Sequence, residues 1–191
     1  LIDNFSKDIS TLKILSSFEN RKNLIKNLMN DAKAYGFDGI NIDFESLTQD
    51  NAPHFIEFIR ELSASCRNNG LVLSVDVPTP ASYNMYYERD ALAEVVDYVI
   101  NMGYDEHYSG SDEGSSASID FVKNSITDSL AEVPKEKLIN AVPTYTRVWT
   151  RENSKLSSSA LGINGATKWV KENNVNLTWD DEVGQYVGHT T

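Results

Sequence analysis

The octet Asp38-Gly39-Ile40-Asn41-Ile42-Asp43-Phe44-Glu45 constrains this chain more than any other stretch. Its apolar and polar residues alternate at period two, the signature of a strand. Ile40, Ile42 and Phe44 share one face, and Asn41, Asp43 and Glu45 share the other. Burying a row of one amide and two carboxylates is costly, and a solvated strand would not be so apolar on its opposite face. A parallel strand resolves the conflict if its apolar side meets helices and its polar side lines a cleft. The two carboxylates fall at the strand's C-terminal end, where parallel α/β folds carry out their chemistry.

The rest of the chain alternates helix and strand around this octet. Residues 1–5 read as a strand end entering a loop, with Ser17 or Asn20 as a cap at the loop's exit. Asn23 to Tyr35 carries a helical apolar stripe that Gly36 terminates. Asp50 or Asn51 caps a helix with Pro53 in its first turn and Phe55, Ile56, Phe58, Ile59 and Leu62 on its buried face. Strands are expected at Leu71–Val77, Tyr98–Met102 and Leu138–Val142, with helices at about Asp90–Val96 and Ala117–Leu130. This βα rhythm means a parallel sheet, either a barrel or a doubly wound sheet. No Gly-rich phosphate loop opens a helix, which leaves the nucleotide-binding version without support. From Thr150 the rhythm breaks. A helix at Asn164–Asn173 and a hairpin of Val175–Trp179 with Gln185–Val187 are expected there.

The octet resembles the DxxDxDxE motif of family 18 glycoside hydrolases, the chitinase-like (β/α)8 barrels. Asp38, Asp43 and Glu45 match its first, third and fourth positions, and Asn41 stands where most members have aspartate. That departure is similar to the subfamily of spore-cortex-lytic, peptidoglycan-directed N-acetylglucosaminidases. Met102-Gly103-Tyr104-Asp105 resembles the family's M-x-Y-D, and Pro143-Thr144-Tyr145-Thr146-Arg147 resembles P-x-Y-x-R. The resemblance implies an α/β fold, a partial (β/α)8 barrel of about strands three to seven over residues 1–149. Residues 150–191 would form the small α+β insertion after the seventh strand. A whole barrel needs about 250 residues, so the chain is expected to be a fragment, weakly active or inactive alone. It begins at Leu1, and a missing signal peptide therefore carries no information.

The resemblance also implies roles. Glu45 is the general acid and then the base. Asp43 bonds Glu45 or the substrate's acetamido nitrogen, and Asn41 could hold Asp43 without adding charge. The Tyr104 hydroxyl holds the acetamido group, and Asp105 contacts the sugar. Asp38, Tyr145, Arg147, Asp76 and Trp149 complete the candidate binding set. Arg147 is equally a structural ion-pair donor, and Asp76 equally a buried, hydrogen-bonded acid. His107 reads as loop scaffolding, and Tyr83, Tyr86, Tyr87 and Tyr108 are candidates for stacking on sugar rings. No metal or other cofactor is expected.

Two side chains two residues apart on one strand leave from Cα atoms about 6.6 Å apart on the same face. They cannot flank a sugar from opposite sides, which fits the family's substrate-assisted, retaining chemistry. The expected substrate is a polysaccharide of β-1,4-linked N-acetylglucosamine, chitin or peptidoglycan. It would be met outside the cell, at a cell wall or spore surface, with cell-wall-binding domains elsewhere in the full protein. A non-catalytic chitinase-like lectin and an endoglycosidase acting on glycoproteins are the alternatives. The net charge of −11 argues against nucleic acid and against an anionic membrane surface. No apolar run reaches membrane-spanning length, and Cys66 alone can form no intrachain disulfide.

Overall fold

A computed structural model describes residues 1–6 and 10–190. Five strands form a parallel sheet in the order β1 to β5: Ile2–Asp3, Gly39–Asp43, Val72–Pro78, Tyr98–Met102 and Leu138–Ala141. Helices α1 (Thr11–Leu15) and α2 (Phe18–Tyr35) follow β1, and α3 (Ala52–Asn68), α4 (Arg89–Val95) and α5 (Ile119–Leu130) follow the next three strands. Helix alternating with parallel strand is the pattern of a partial (β/α)8 barrel. The chain divides into two compact units: residues 1–102 with 128–140, and residues 103–127 with 141–191.

The first unit carries the hydrophobic core. Ile40, Ile42 and Phe44 are buried, as the alternation predicts, against Phe55, Phe58, Ile59 and Leu62 of α3. Ser17 caps α2 by accepting a hydrogen bond from the Asn20 N–H, and Gly36 closes it in the left-handed conformation at φ 69°. Gly39 has a separate reason to lack a side chain: a Cβ there would lie 2.6 Å from the Val72 carbonyl oxygen on the neighbouring strand. Among the described residues no helix is long and apolar enough to cross a membrane.

In the second unit, β6 (Tyr145–Glu152) and β7 (Lys155–Gly162) form an antiparallel hairpin. Helix α6 (Ile163–Glu172) and the hairpin of β8 (Leu177–Asp180) with β9 (Gln185–Gly188) come next.

Three expectations need correction. Tyr145 to Trp149 do not extend the seventh barrel strand but open the β6–β7 hairpin, so a boundary at 149/150 falls inside β6. Between Phe5 and Ser16, where the sequence suggested only loop, Thr11–Leu15 is helical. Ser10 caps it by accepting from the Lys13 N–H, and Leu15 is fully buried. That loop also includes residues 7–9, which lie outside the described residues. The strand at the octet is shorter than its alternation, ending at Asp43, so that Glu45 stands beyond it.

Candidate active site

In the first unit the polar face of β2 meets the polar face of β3. Asn41 pairs with Ser74 in register, and its Nδ2 donates to Ser74 Oγ at 2.9 Å and to Asp76 Oδ1 at 2.8 Å. This corrects the expected role of Asn41, whose amide protons serve the neighbouring strand and not Asp43. The register continues the row: Ile42 pairs with Val75 on one side, and Asp3 pairs with Asp43 on the other. Asp3, Asp43 and Asp76 therefore lie abreast on three adjacent strands. Among the described residues no group of three or more His, Cys, Asp or Glu could hold a metal ion.

Asp43 is only 9 % exposed, and its Oδ1 has no hydrogen-bond partner among the described residues. Burial, first of all, holds its carboxyl above the usual range, and the charges of Asp76 and Asp3 add to that; the Leu1 amino group opposes it. Burial also raises Asp76, against the hydrogen bond from Asn41. Both groups have folded-state pKa values above their unfolded ones. The native state then binds more protons than the unfolded state between those values, and stability falls as pH rises through that window. Asp43→Asn is accordingly expected to raise the melting temperature by a few degrees near neutral pH. The gain should vanish at about pH 3, where the unfolded carboxylate too is protonated. Thermal melts of both proteins at the two pH values check this, and an equal gain at both would show that charge is not its cause.

Glu45 lies in the loop after β2. It lines a cleft of about 190 Å³ with Ser46, Leu47, Pro78, Tyr83, Asn84, Tyr86, Tyr87 and Met102. The tyrosine-rich loop on the cleft's other side is pinned. Arg89, fully buried, donates to the Pro78 carbonyl at 2.8 Å and to Asn84 Oδ1 at 2.8 Å, while Asn84 Nδ2 donates to the Thr79 carbonyl at 3.0 Å. The Tyr86 hydroxyl donates to the Leu47 carbonyl at 2.7 Å, tying that loop to the one carrying Glu45. Tyr83 remains 79 % exposed and free to present its ring, whereas Tyr87 is buried and belongs to the packing. Asp38 is taken out of the group: it is exposed and precedes β2, at the opposite strand end from Asp43 and Glu45.

In the second unit Asp105 is the focus. It holds a left-handed conformation at φ 59°, and its Oδ1 accepts from the Tyr145 hydroxyl and, at 3.4 Å, from Arg147. Burial, and then the Asp105 carboxylate it donates to, raise the Tyr145 hydroxyl above the usual phenol range. Tyr104 meets the Tyr145 ring edge-on at 6.3 Å, and the Arg147 guanidinium lies 5.9 Å from that ring's centre. Arg147 is thus the ion-pair donor that the sequence allowed as an alternative. Trp149 is half-buried with its indole N–H on the Gly114 carbonyl at 2.9 Å. The His107 ring packs over Gly114 with Nδ1 2.9 Å from the Ser115 carbonyl, a scaffolding arrangement.

The sequence reading missed Asn4. Its side chain bonds both backbone polar groups of Glu45.

The sequence pattern of glycosyl hydrolases family 18 matches residues 3–191, and the chain belongs to that family. Among curated relatives, Bacillus subtilis YdhD, whose name assigns it provisionally to sporulation-specific glycosylases, is 32% identical over 141 residues. That match covers 72% of this chain and 34% of YdhD. The cortical fragment-lytic enzyme of Bacillus subtilis is 26% identical over 184 residues, covering 92% of this chain and 42% of that one. The crystal structure of YdhD superposes with a TM-score of 0.87 at 24% identity, over 99% of this chain and 66% of that chain. The chain spans about a third to a half of the length of these curated relatives.

Proposed function

We propose that this chain carries the catalytic acid of a glycosidase that cleaves β-1,4-linked N-acetylglucosamine polymers, with retention and with help from the substrate. The observation that carries the reading is the end of β2, where Asp43 and Glu45 leave two residues apart and Glu45 lines a tyrosine-walled cleft. Glu45 gives its proton to the glycosidic oxygen as the bond from C1 to that oxygen breaks. The carbonyl oxygen of the substrate's 2-acetamido group bonds to C1 in its place, forming an oxazolinium ion. Glu45, now a carboxylate, takes a proton from water, and that water's oxygen attacks C1 and reopens the ring. By its place in the motif Asp43 is assigned to the acetamido N–H; its Oδ1, buried and without a partner among the described residues, is an acceptor that a turn of the side chain toward the cleft would bring to it. A hydrogen bond to an otherwise unsatisfied buried acceptor is worth more than one exchanged with water. By their motif, Tyr104 is assigned to the acetamido group and Asp105 to the sugar.

Peptidoglycan is the preferred polymer. The Asn41 variant of the motif and the cortical fragment-lytic relatives both favour it, and they favour work at a cell wall or spore surface. The test is a panel of muropeptides, chitin oligomers and N-glycosylated proteins, assayed on the full-length protein with reducing ends quantified. Turnover of muropeptides above the other two supports the reading. Cleavage of glycoproteins alone would move the protein to the endoglycosidases, and binding without cleavage would make it a lectin.

A further inference from the structure

We propose that Asn4 is a positioning residue for Glu45, its side-chain amide supplying the backbone hydrogen bonds that the sheet does not extend to that position. The proposal rests on the reading of Glu45 as the proton donor. Strand β1 pairs with β2 at Ile2 with Ile42 and Asp3 with Asp43, and goes no further. Just beyond, the Phe5 N–H bonds Asp3 Oδ1 at 3.0 Å, a local turn. Glu45 comes two residues after the end of β2, and Ser46 succeeds it at φ 53°, a conformation that non-glycine residues rarely adopt. A backbone leaving its sheet and turning at once would not by itself aim an acid side chain.

Asn4 fills this gap. Its Nδ2 donates to the Glu45 carbonyl at 2.9 Å, and the Glu45 N–H donates to Asn4 Oδ1 at 2.9 Å. The amide thus stands in for one peptide unit of a neighbouring strand. The second Nδ2 proton goes to Thr11 Oγ1 at 3.1 Å, at the first residue of α1. These bonds define the amide's orientation: flipped, it would set oxygen against the Glu45 carbonyl and NH₂ against the Glu45 N–H. The chemistry singles out asparagine. Aspartate has no proton for the carbonyl, glutamine is one methylene too long, and serine has one polar atom for two partners. A reacting group displaced by about 1 Å can lose on the order of a hundredfold in rate.

In the active protein, Asn4→Ala is therefore expected to lower kcat by about 10- to 100-fold and to leave KM within about twofold. The exchange of the Glu45 amide hydrogen should accelerate in the same variant. Added to Glu45→Gln, Asn4→Ala should cost almost nothing more, because no acid is left to aim. Should Asn4→Ala not fold, Asn4→Asp carries the test: it keeps the acceptor, loses the donor and is expected to show the same split between kcat and KM. Unchanged kcat, or a full further loss in the Glu45→Gln background, would overturn the role. If Glu45→Gln itself stays active, the glycosidase reading falls, and unchanged amide exchange in Asn4→Ala would separately remove the clamp.

Discussion

In the full-length protein, Glu45→Gln is expected to reduce kcat by at least the 10²–10⁴-fold typical of a lost general acid, about the largest effect of any single substitution here. Glutamine has the same shape and can still lie in the cleft beside Tyr83 and Tyr86. It can neither donate an acidic proton to the glycosidic oxygen nor take one from water, and both steps of the reaction need that exchange. The backbone around it is fixed without the carboxyl group: Asn4 bonds the residue's N–H and C=O, and Tyr86 holds the Leu47 carbonyl. The substitution should consequently leave the fold and oligosaccharide binding nearly unchanged. Steady-state kinetics on a muropeptide, with calorimetric titration of the same ligand, separates the two. Near-normal kcat would remove Glu45 from its role, and a parallel loss of affinity would make it a binding contact.

The octet was legible because its meaning lies in alternation, and alternation survives into the structure as buried Ile40, Ile42 and Phe44. The buried face of α3 was legible for a similar reason, its apolar stripe being strong and its neighbours polar. Asn4 was not legible. A side-chain amide bonded to a backbone 41 residues away has no periodic signature. The partner of Asn41 needed the register of β2 on β3, which places Asp76 one step beyond the pair of Ile42 with Val75. The β6–β7 hairpin was hidden by its turn. Asn153 and Ser154 both take positive φ, at 46° and 66°, the job usually signalled by Asn-Gly. The serine run Ser157-Ser158-Ser159 in β7 weakens the strand signal further. Helix α1 is five residues long, too short for a period to show.

A substrate with glucose in place of N-acetylglucosamine at the reacting position is expected not to turn over, although the glycosidic bond is the same. Asp43 ends β2 and Glu45 follows two residues later in the loop, so both carboxylates approach the sugar from the same strand exit, and neither is placed to reach its underside while the other protonates the bond. Other carboxylates near strand ends are already engaged: Asp3 accepts from the Phe5 N–H, Asp76 accepts from Asn41, and Asp105 accepts from Tyr145 and Arg147. Attack by either carboxylate would draw charge away from the group that holds those bonds and so weaken them. The 2-acetamido oxygen belongs to the substrate and lies beside C1, and Asp43, its side chain turned toward the cleft, would orient that group through the N–H. A thiazoline analogue of the oxazolinium ion should then inhibit competitively and bind more tightly than product, as a mimic of a high-energy intermediate does. Nuclear magnetic resonance of the first product formed should show the β-anomer. Inversion at that carbon, or a sugar ester trapped on Asp76 or Asp105, would instead place the nucleophile on the protein.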